Sequence, residues 1–239
     1  SAALTFNKGT VIFDAIRVSV TGSGKYIHGN GTIRFTRNFR SNNSLYVSPA
    51  YYTDPQKSEI LLEGGNFACI DALASASTVG TADNPAHVSV TVNGAVISRV
   101  NGGWGWSAKP IYANLFVYVN DGAVYRMESN AKSTISGTRT VLFNNGLYRL
   151  SAGTEITVPS DFDFVVRSDK GGTVQVENED TTDAPTFILT PEAGKIPYVN
   201  GEKLSATDGV YRYTPQKGDT TVTVTVQWRT LVTVRFDLG

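Results

Sequence analysis

One cysteine, one methionine and two histidines in 239 residues leave little from which to build reactive chemistry. A single thiol, Cys69, excludes an internal disulfide framework and a cysteine-ligated zinc site. In Asn66-Phe67-Ala68-Cys69-Ile70 it reads as a small core-filling residue. An excess of either charge is lacking too. The 21 basic and 21 acidic residues cancel, so no net field is available to hold a polyanion or an anionic membrane. No apolar run approaches the ~18 to 20 residues that cross a bilayer as a helix. Ser1-Ala2-Ala3-Leu4-Thr5-Phe6 shows no basic segment ahead of an apolar one. The expectation is a soluble chain with no strong nucleic-acid signal and no membrane span.

Helical periodicity is the next thing missing. No window of a dozen residues sustains an i, i+3, i+4, i+7 apolar stripe, and the nearest, Ile70 to Val79, is short and rich in Ala and Ser. Period-two alternation is abundant instead. Val88, Val90 and Val92 alternate with Ser and Thr, Leu115, Val117 and Val119 with Phe, Tyr and Asn, and Val222, Val224 and Val226 with Thr. Pairs that accept positive φ punctuate these strands at Asn93-Gly94, Asn101-Gly102, Asp121-Gly122, Asn145-Gly146, Asn200-Gly201 and Asp208-Gly209. Such pairs suit tight hairpins. The resulting expectation is an all-β chain folded as an antiparallel β-sandwich of jelly-roll type.

The alternative is a parallel β-helix. Leu61-Leu62-Glu63-Gly64, Val90-Thr91-Val92-Asn93-Gly94, Val117-Tyr118-Val119-Asn120-Asp121-Gly122 and Leu142-Phe143-Asn144-Asn145-Gly146 recur at about 24 to 30 residues, the size of one coil. Two domains are expected, 1–150 as the jelly-roll-like sandwich and 151–239 as an Ig-like sandwich or as closing strands of the same barrel.

Two local resemblances bear on function. Tyr198-Val199-Asn200-Gly201-Glu202, followed by Gly209-Val210-Tyr211-Arg212-Tyr213-Thr214-Pro215 and a Thr-Val run, resembles Ig-like repeats of bacterial and phage surface proteins. Residues 26–52, with Lys109 to Val119, resemble early and paired strands of jelly-roll capsid proteins of picorna-like viruses. The stretch 31–52 would then be a hairpin turning at Ser41-Asn42-Asn43-Ser44, with Ile33, Phe35 and Phe39 facing the core and Arg34 and Arg40 facing outward.

Catalytic patterns are scarce. His28 and His87 sit in strand-like or turn settings, no serine lies in a nucleophile-elbow sequence, and Gly22-Ser23-Gly24-Lys25 lacks the spacing of a phosphate-binding loop. The acidic run Glu177 to Asp183 lacks EF-hand spacing and reads as a solvated turn. No enzyme activity, cofactor or metal is expected. The contact candidates are Arg34, Arg40, Trp104 and Trp106, the two Trp residues lying in the Gly-rich phrase Asn101 to Ser107. The expectation is a non-enzymatic virion structural protein, a capsid subunit, decoration or fibre protein, that binds other copies of itself or other virion proteins, with a host surface glycan as a further candidate partner. The alternative is a bacterial cell-surface adhesin or glycan-binding module, and behind it stands a carbohydrate-active β-helix enzyme.

Overall fold

Alternating strands bury one row of side chains and expose the next, and a chain can satisfy that pattern by coiling as well as by stacking two sheets. This chain coils. The computed structural model describes residues 3–6, 9–18, 25–29, 31–42, 45–48, 57–75, 79–105, 110–130, 134–179 and 184–232. Within them the protein is a parallel β-solenoid of about five coils, which replaces the antiparallel sandwich and jelly roll expected above and matches the β-helix alternative.

Each coil has three walls. Wall 1 stacks Thr10–Phe13, Thr32–Phe35, Lys57–Leu62, the first part of Ala86–Ile97, the first part of Ile111–Val124 and then Arg139–Phe143 and Phe164–Ser168, every neighbour parallel. Wall 2 is narrow and holds Arg17–Val18, Arg40–Ser41, Asn66–Phe67 and the ends of the two long strands. Wall 3 stacks Ala3–Phe6, Lys25–Gly29, Leu45–Ser48, Cys69–Asp71, Val100–Gly105 and Met127–Asn130. The stretch 31–52 is therefore no hairpin. Thr32–Phe35 and Leu45–Ser48 lie on different walls of one coil, and each pairs in parallel with the coils before and after it.

The lumen is a stack of like residues. One row on wall 1 runs Val11, Ile33, Ile60, Val90, Val117, Val141, Val165, and from Ile33 onward it is sealed from solvent. Phe35 lies in the neighbouring row, its ring parallel to that of Phe13 at 4.8 Å, tilted against that of Phe39 at 4.8 Å and edge-on to that of Phe67 at 4.9 Å. Past the last full coil, Tyr148, Ile156 and Phe162 fill the lumen and join the same core. There a Cβ at Gly102 would fall 2.5 Å from the Phe162 ring.

Positive-φ pairs serve the solenoid as corners. Gly94, Gly122 and Asn145-Gly146 turn the chain out of wall 1, and Asn144 and Asn145 donate side-chain hydrogen bonds to the side-chain and main-chain oxygens of Asn120 one coil below, at 2.7 and 3.0 Å. Asn200-Gly201 and Asp208-Gly209 do close antiparallel hairpin turns. Asn101-Gly102 lies inside a strand.

The outer face of wall 1 changes character along the stack. One outward row reads Thr10, Thr32, Glu59, Ser89 and then Phe116, Thr140, Phe164; the next reads Ile12, Arg34, Leu61, Thr91 and then Tyr118, Leu142, Val166. The apolar half is covered by the C-terminal segment. An antiparallel sheet of Gly172–Val176, Phe187–Pro191 and Tyr211–Tyr213 packs with Val222–Thr230 and Lys195–Val199 into a second core, which joins Phe116, Tyr118 and Leu142 to Val174, Phe187 and Trp228. Wall 1 continues through residue 150 into Phe164–Ser168 and Val222–Thr230 without interruption.

Candidate functional site

The step where the C-terminal segment begins to cover wall 1 leaves a cleft. Thr91 is the last polar residue of its outward row and Tyr118 the first one covered. Tyr118 and Asn120, on the following strand, form the floor, and Gln175, Val176 and Glu179 form the opposing wall. The cleft encloses about 240 Å3, less than the ~300 to 1,000 Å3 typical of sites for drug-sized ligands.

Its polar groups are held from behind. The Tyr118 hydroxyl donates to Glu179 Oε1, and burial, reinforced by the adjacent carboxylate, pushes the phenol well above its ordinary range. Tyr118 thus stays a neutral donor, and Glu179 keeps a second oxygen that can accept. Asn120 Oδ1 already accepts from Asn144, which leaves the amide nitrogen of Asn120 to donate. Asn144 is itself fixed by the Val174 main chain, donating to its carbonyl at 3.2 Å and accepting from its N–H at 2.9 Å. A hydroxyl, two amides and a carboxylate therefore converge on a space walled by an aromatic residue.

Wall 3 carries a second polar cluster. Tyr26, Tyr46 and Cys69 occupy one row beside the lumen row, and Asp71, Asn101 and Glu128 the row on its other side. Tyr26 and Tyr46 lie with ring centroids 5.0 Å apart, and Tyr26 stacks on His28 at 5.1 Å. The Cys69 thiol donates to Asp71 Oδ1 at 3.1 Å, Asn101 Nδ2 donates to the same oxygen at 3.3 Å, and Arg99 Nε donates to Cys69 Sγ at 3.1 Å. Arg99 and Arg126 both pair with Glu128, at 3.3 and 2.7 Å.

Burial decides what this cluster can do. It raises the Cys69 pKa, with the Asp71 charge adding to the effect, so the sulfur stays a thiol and is no nucleophile. Burial likewise raises the Asp71 carboxyl and lowers the His28 imidazole. The network ties successive coils together.

The residues singled out from the sequence are spread over the three walls. Arg34 projects from wall 1 and donates twice to Glu63 of the next coil, at 3.0 and 3.1 Å. Arg40 lies on wall 2 and donates to the carbonyls of Arg37 and Phe39. Trp104 is on wall 3, in register with Ala74 and Asn130, and Trp106 lies outside the described residues. Neither Arg34 nor Arg40 lines the cleft. Nothing in local sequence marks the cleft, because Thr91, Tyr118 and Glu179 meet only through strand register and the fold-back of the C-terminal segment. No family model matches the chain, and no curated protein or solved structure matches it.

Proposed function

We propose that the protein is a glycan-binding module of adhesin type, built on a β-solenoid and acting at a cell surface. The observation that carries this reading is the cleft of Thr91, Tyr118, Asn120, Gln175 and Glu179. Sugar hydroxyls donate and accept at once, and fixed amides beside a carboxylate offer both in a small space. Binding without turnover fits the same geometry. Glycoside hydrolysis draws on two carboxyl groups about 5 to 10 Å apart, and among the described lining residues the cleft presents one, Glu179, already engaged by Tyr118. The capsid form of the virion reading loses its support with the jelly roll, whereas a solenoid is compatible with a structural role such as a fibre or decoration protein.

A glycan array probed with the 239-residue chain tests this. Bound glycans are expected, recovered unaltered by mass spectrometry. Each of Tyr118→Phe, Asn120→Ala and Glu179→Gln should weaken binding about 10- to 100-fold, the effect of losing one hydrogen bond in a charged set. Tyr46→Ala on wall 3 should leave it unchanged. An array without a ligand, cleaved glycans, or binding indifferent to the three cleft substitutions would overturn the proposal.

A further inference from the structure

The cleft over wall 1 holds one charge and several acceptors that nothing satisfies. Among its described lining residues Glu179 bears the only charge. Arg212 shares a cross-strand row with Gln175 through Ile188, but its guanidinium is spent on Glu177, donating to both carboxylate oxygens at 2.9 to 3.0 Å. An acidic sugar would set its carboxylate or sulfate against Glu179 with no described lining cation to receive it, and such like-charge contacts reject a ligand. The hydrogen bonds narrow what remains. Tyr118 donates to Glu179 Oε1 and Asn144 donates to Asn120 Oδ1. Thr91 and Gln175 make no side-chain hydrogen bond among the described residues, and Glu179 Oε2 accepts none. Thr91 Oγ1, Gln175 Oε1 and Glu179 Oε2 are thus three open acceptors around one negative charge. A sugar hydroxyl donates once, whereas an ammonium group donates three times, accepts nothing and brings the opposite charge.

We infer that the cleft selects glycans bearing a free primary amine, an amino sugar whose ammonium group is held by Glu179, with Gln175 and Thr91 completing its three hydrogen bonds. This ligand class rests on the glycan-binding reading above and refines it. N-acetylation removes the charge and two of the three N–H donors, so the acetylated form of the same sugar is bound less well. Tyr118 is a positioning residue in this arrangement. Its hydroxyl occupies Oε1 of Glu179 and leaves Oε2 for the ligand. The space, about 240 Å3, falls below that of sites for drug-sized ligands and suits a single sugar unit.

Titration calorimetry of the full chain at about pH 6, where an amine of α-amino type is protonated, tests this. The probes are trimers of glucosamine and of galactosamine, their N-acetylated forms, the glucose and galactose trimers matched in linkage, and a trimer of galacturonic acid. An amine-bearing trimer is expected to bind about tenfold or more tighter than its acetylated and neutral counterparts, and the acidic trimer not to bind. Glu179→Gln should bring that preference close to unity, and Gln175→Glu, which adds a second charge to the same wall, should raise it. The preference is a ratio read on one preparation, so a loss of folded protein, which lowers every affinity alike, leaves it unmoved. Equal affinities across a matched set, or an amine preference that survives Glu179→Gln, would overturn the inference. Neutral or acidic glycans bound through the cleft would overturn it too while leaving the glycan-binding reading standing. A chain that binds neither these probes nor any glycan on the array would overturn both.

Discussion

Phe35 and Arg34 are adjacent in sequence and opposite in consequence. Phe35 is sealed in the lumen against three other rings, so Phe35→Ala removes a packed ring and leaves a cavity; a loss of ~3 to 5 kcal/mol is expected in denaturant melts. Arg34 makes an exposed ion pair with Glu63. Arg34→Ala should cost no more than ~1 kcal/mol in the same melts. His28 adds a pH dependence. Burial holds its pKa below the value near 6.5 of an unfolded chain. As pH falls through that value the unfolded state takes up the proton first, so stability is full near neutrality and declines until the folded-state pKa is reached. Melts between pH 7 and 5 should show this decline in the native chain and a smaller one in His28→Gln. Asp71, whose carboxyl is raised by burial, acts in the opposite sense, because protonating it relieves the cost of burying a charge.

At the scale of strands and corners, the stacking of turns is as demanding as the stacking of side chains. Gly122 has φ +95°, and a Cβ there would fall 2.2 Å from the Ala95 carbonyl oxygen of the coil below. Gly146 has φ +73° with nothing within 4 Å of the same position. Gly146→Ala should thus carry only the backbone cost, about 1 to 3 kcal/mol, and Gly122→Ala clearly more, as thermal melts of the two variants would show. The strands and their inward residues were legible in the sequence, Ile33, Phe35, Val90 and Val117 among them. Their partners were not. A period of two says which side chains face inward and is silent on which strand lies alongside. Asn-Gly pairs misled for a related reason, since positive φ serves a coil corner as well as a hairpin. The phrases ending at Gly64, Gly94, Gly122 and Gly146 did mark the coil. They looked irregular because the distance from wall 3 to wall 1 varies, from Gly29 to Thr32 in one coil and from Ser48 to Lys57 in the next, while wall 1 reaches wall 2 in four or five residues, as from Phe13 to Arg17 and from Phe35 to Arg40. Insertions at one corner leave the ladders intact. The run Leu115-Phe116-Val117-Tyr118-Val119, read from the sequence as period-two alternation, is apolar on both faces, the mark of a strand covered on both sides, and what covers it lies some sixty residues further on.

The whole molecule is asymmetric along its axis. One end of the lumen is plugged and flanked by a second core, and at the other the strands of the first coil pair on one side only among the described strands. In such stacks each coil contacts only its neighbours, and stability is close to a sum of neighbour terms. The second core breaks that rule locally, because Trp228, Phe187 and Val174 are joined through it to three successive strands of wall 1. This has a mechanical consequence. Under tension applied from the Ala3 side, the early coils, held only by their ladders and lumen contacts, can peel away singly, whereas the late ones are clamped from outside and must yield together. One early coil is 22 residues, from Val11 to Ile33, and pays out roughly 75 Å of extended chain. The protein behaves as a spool with a fixed hub, lengthening stepwise from one end while the cleft, seated on the hub, keeps its shape.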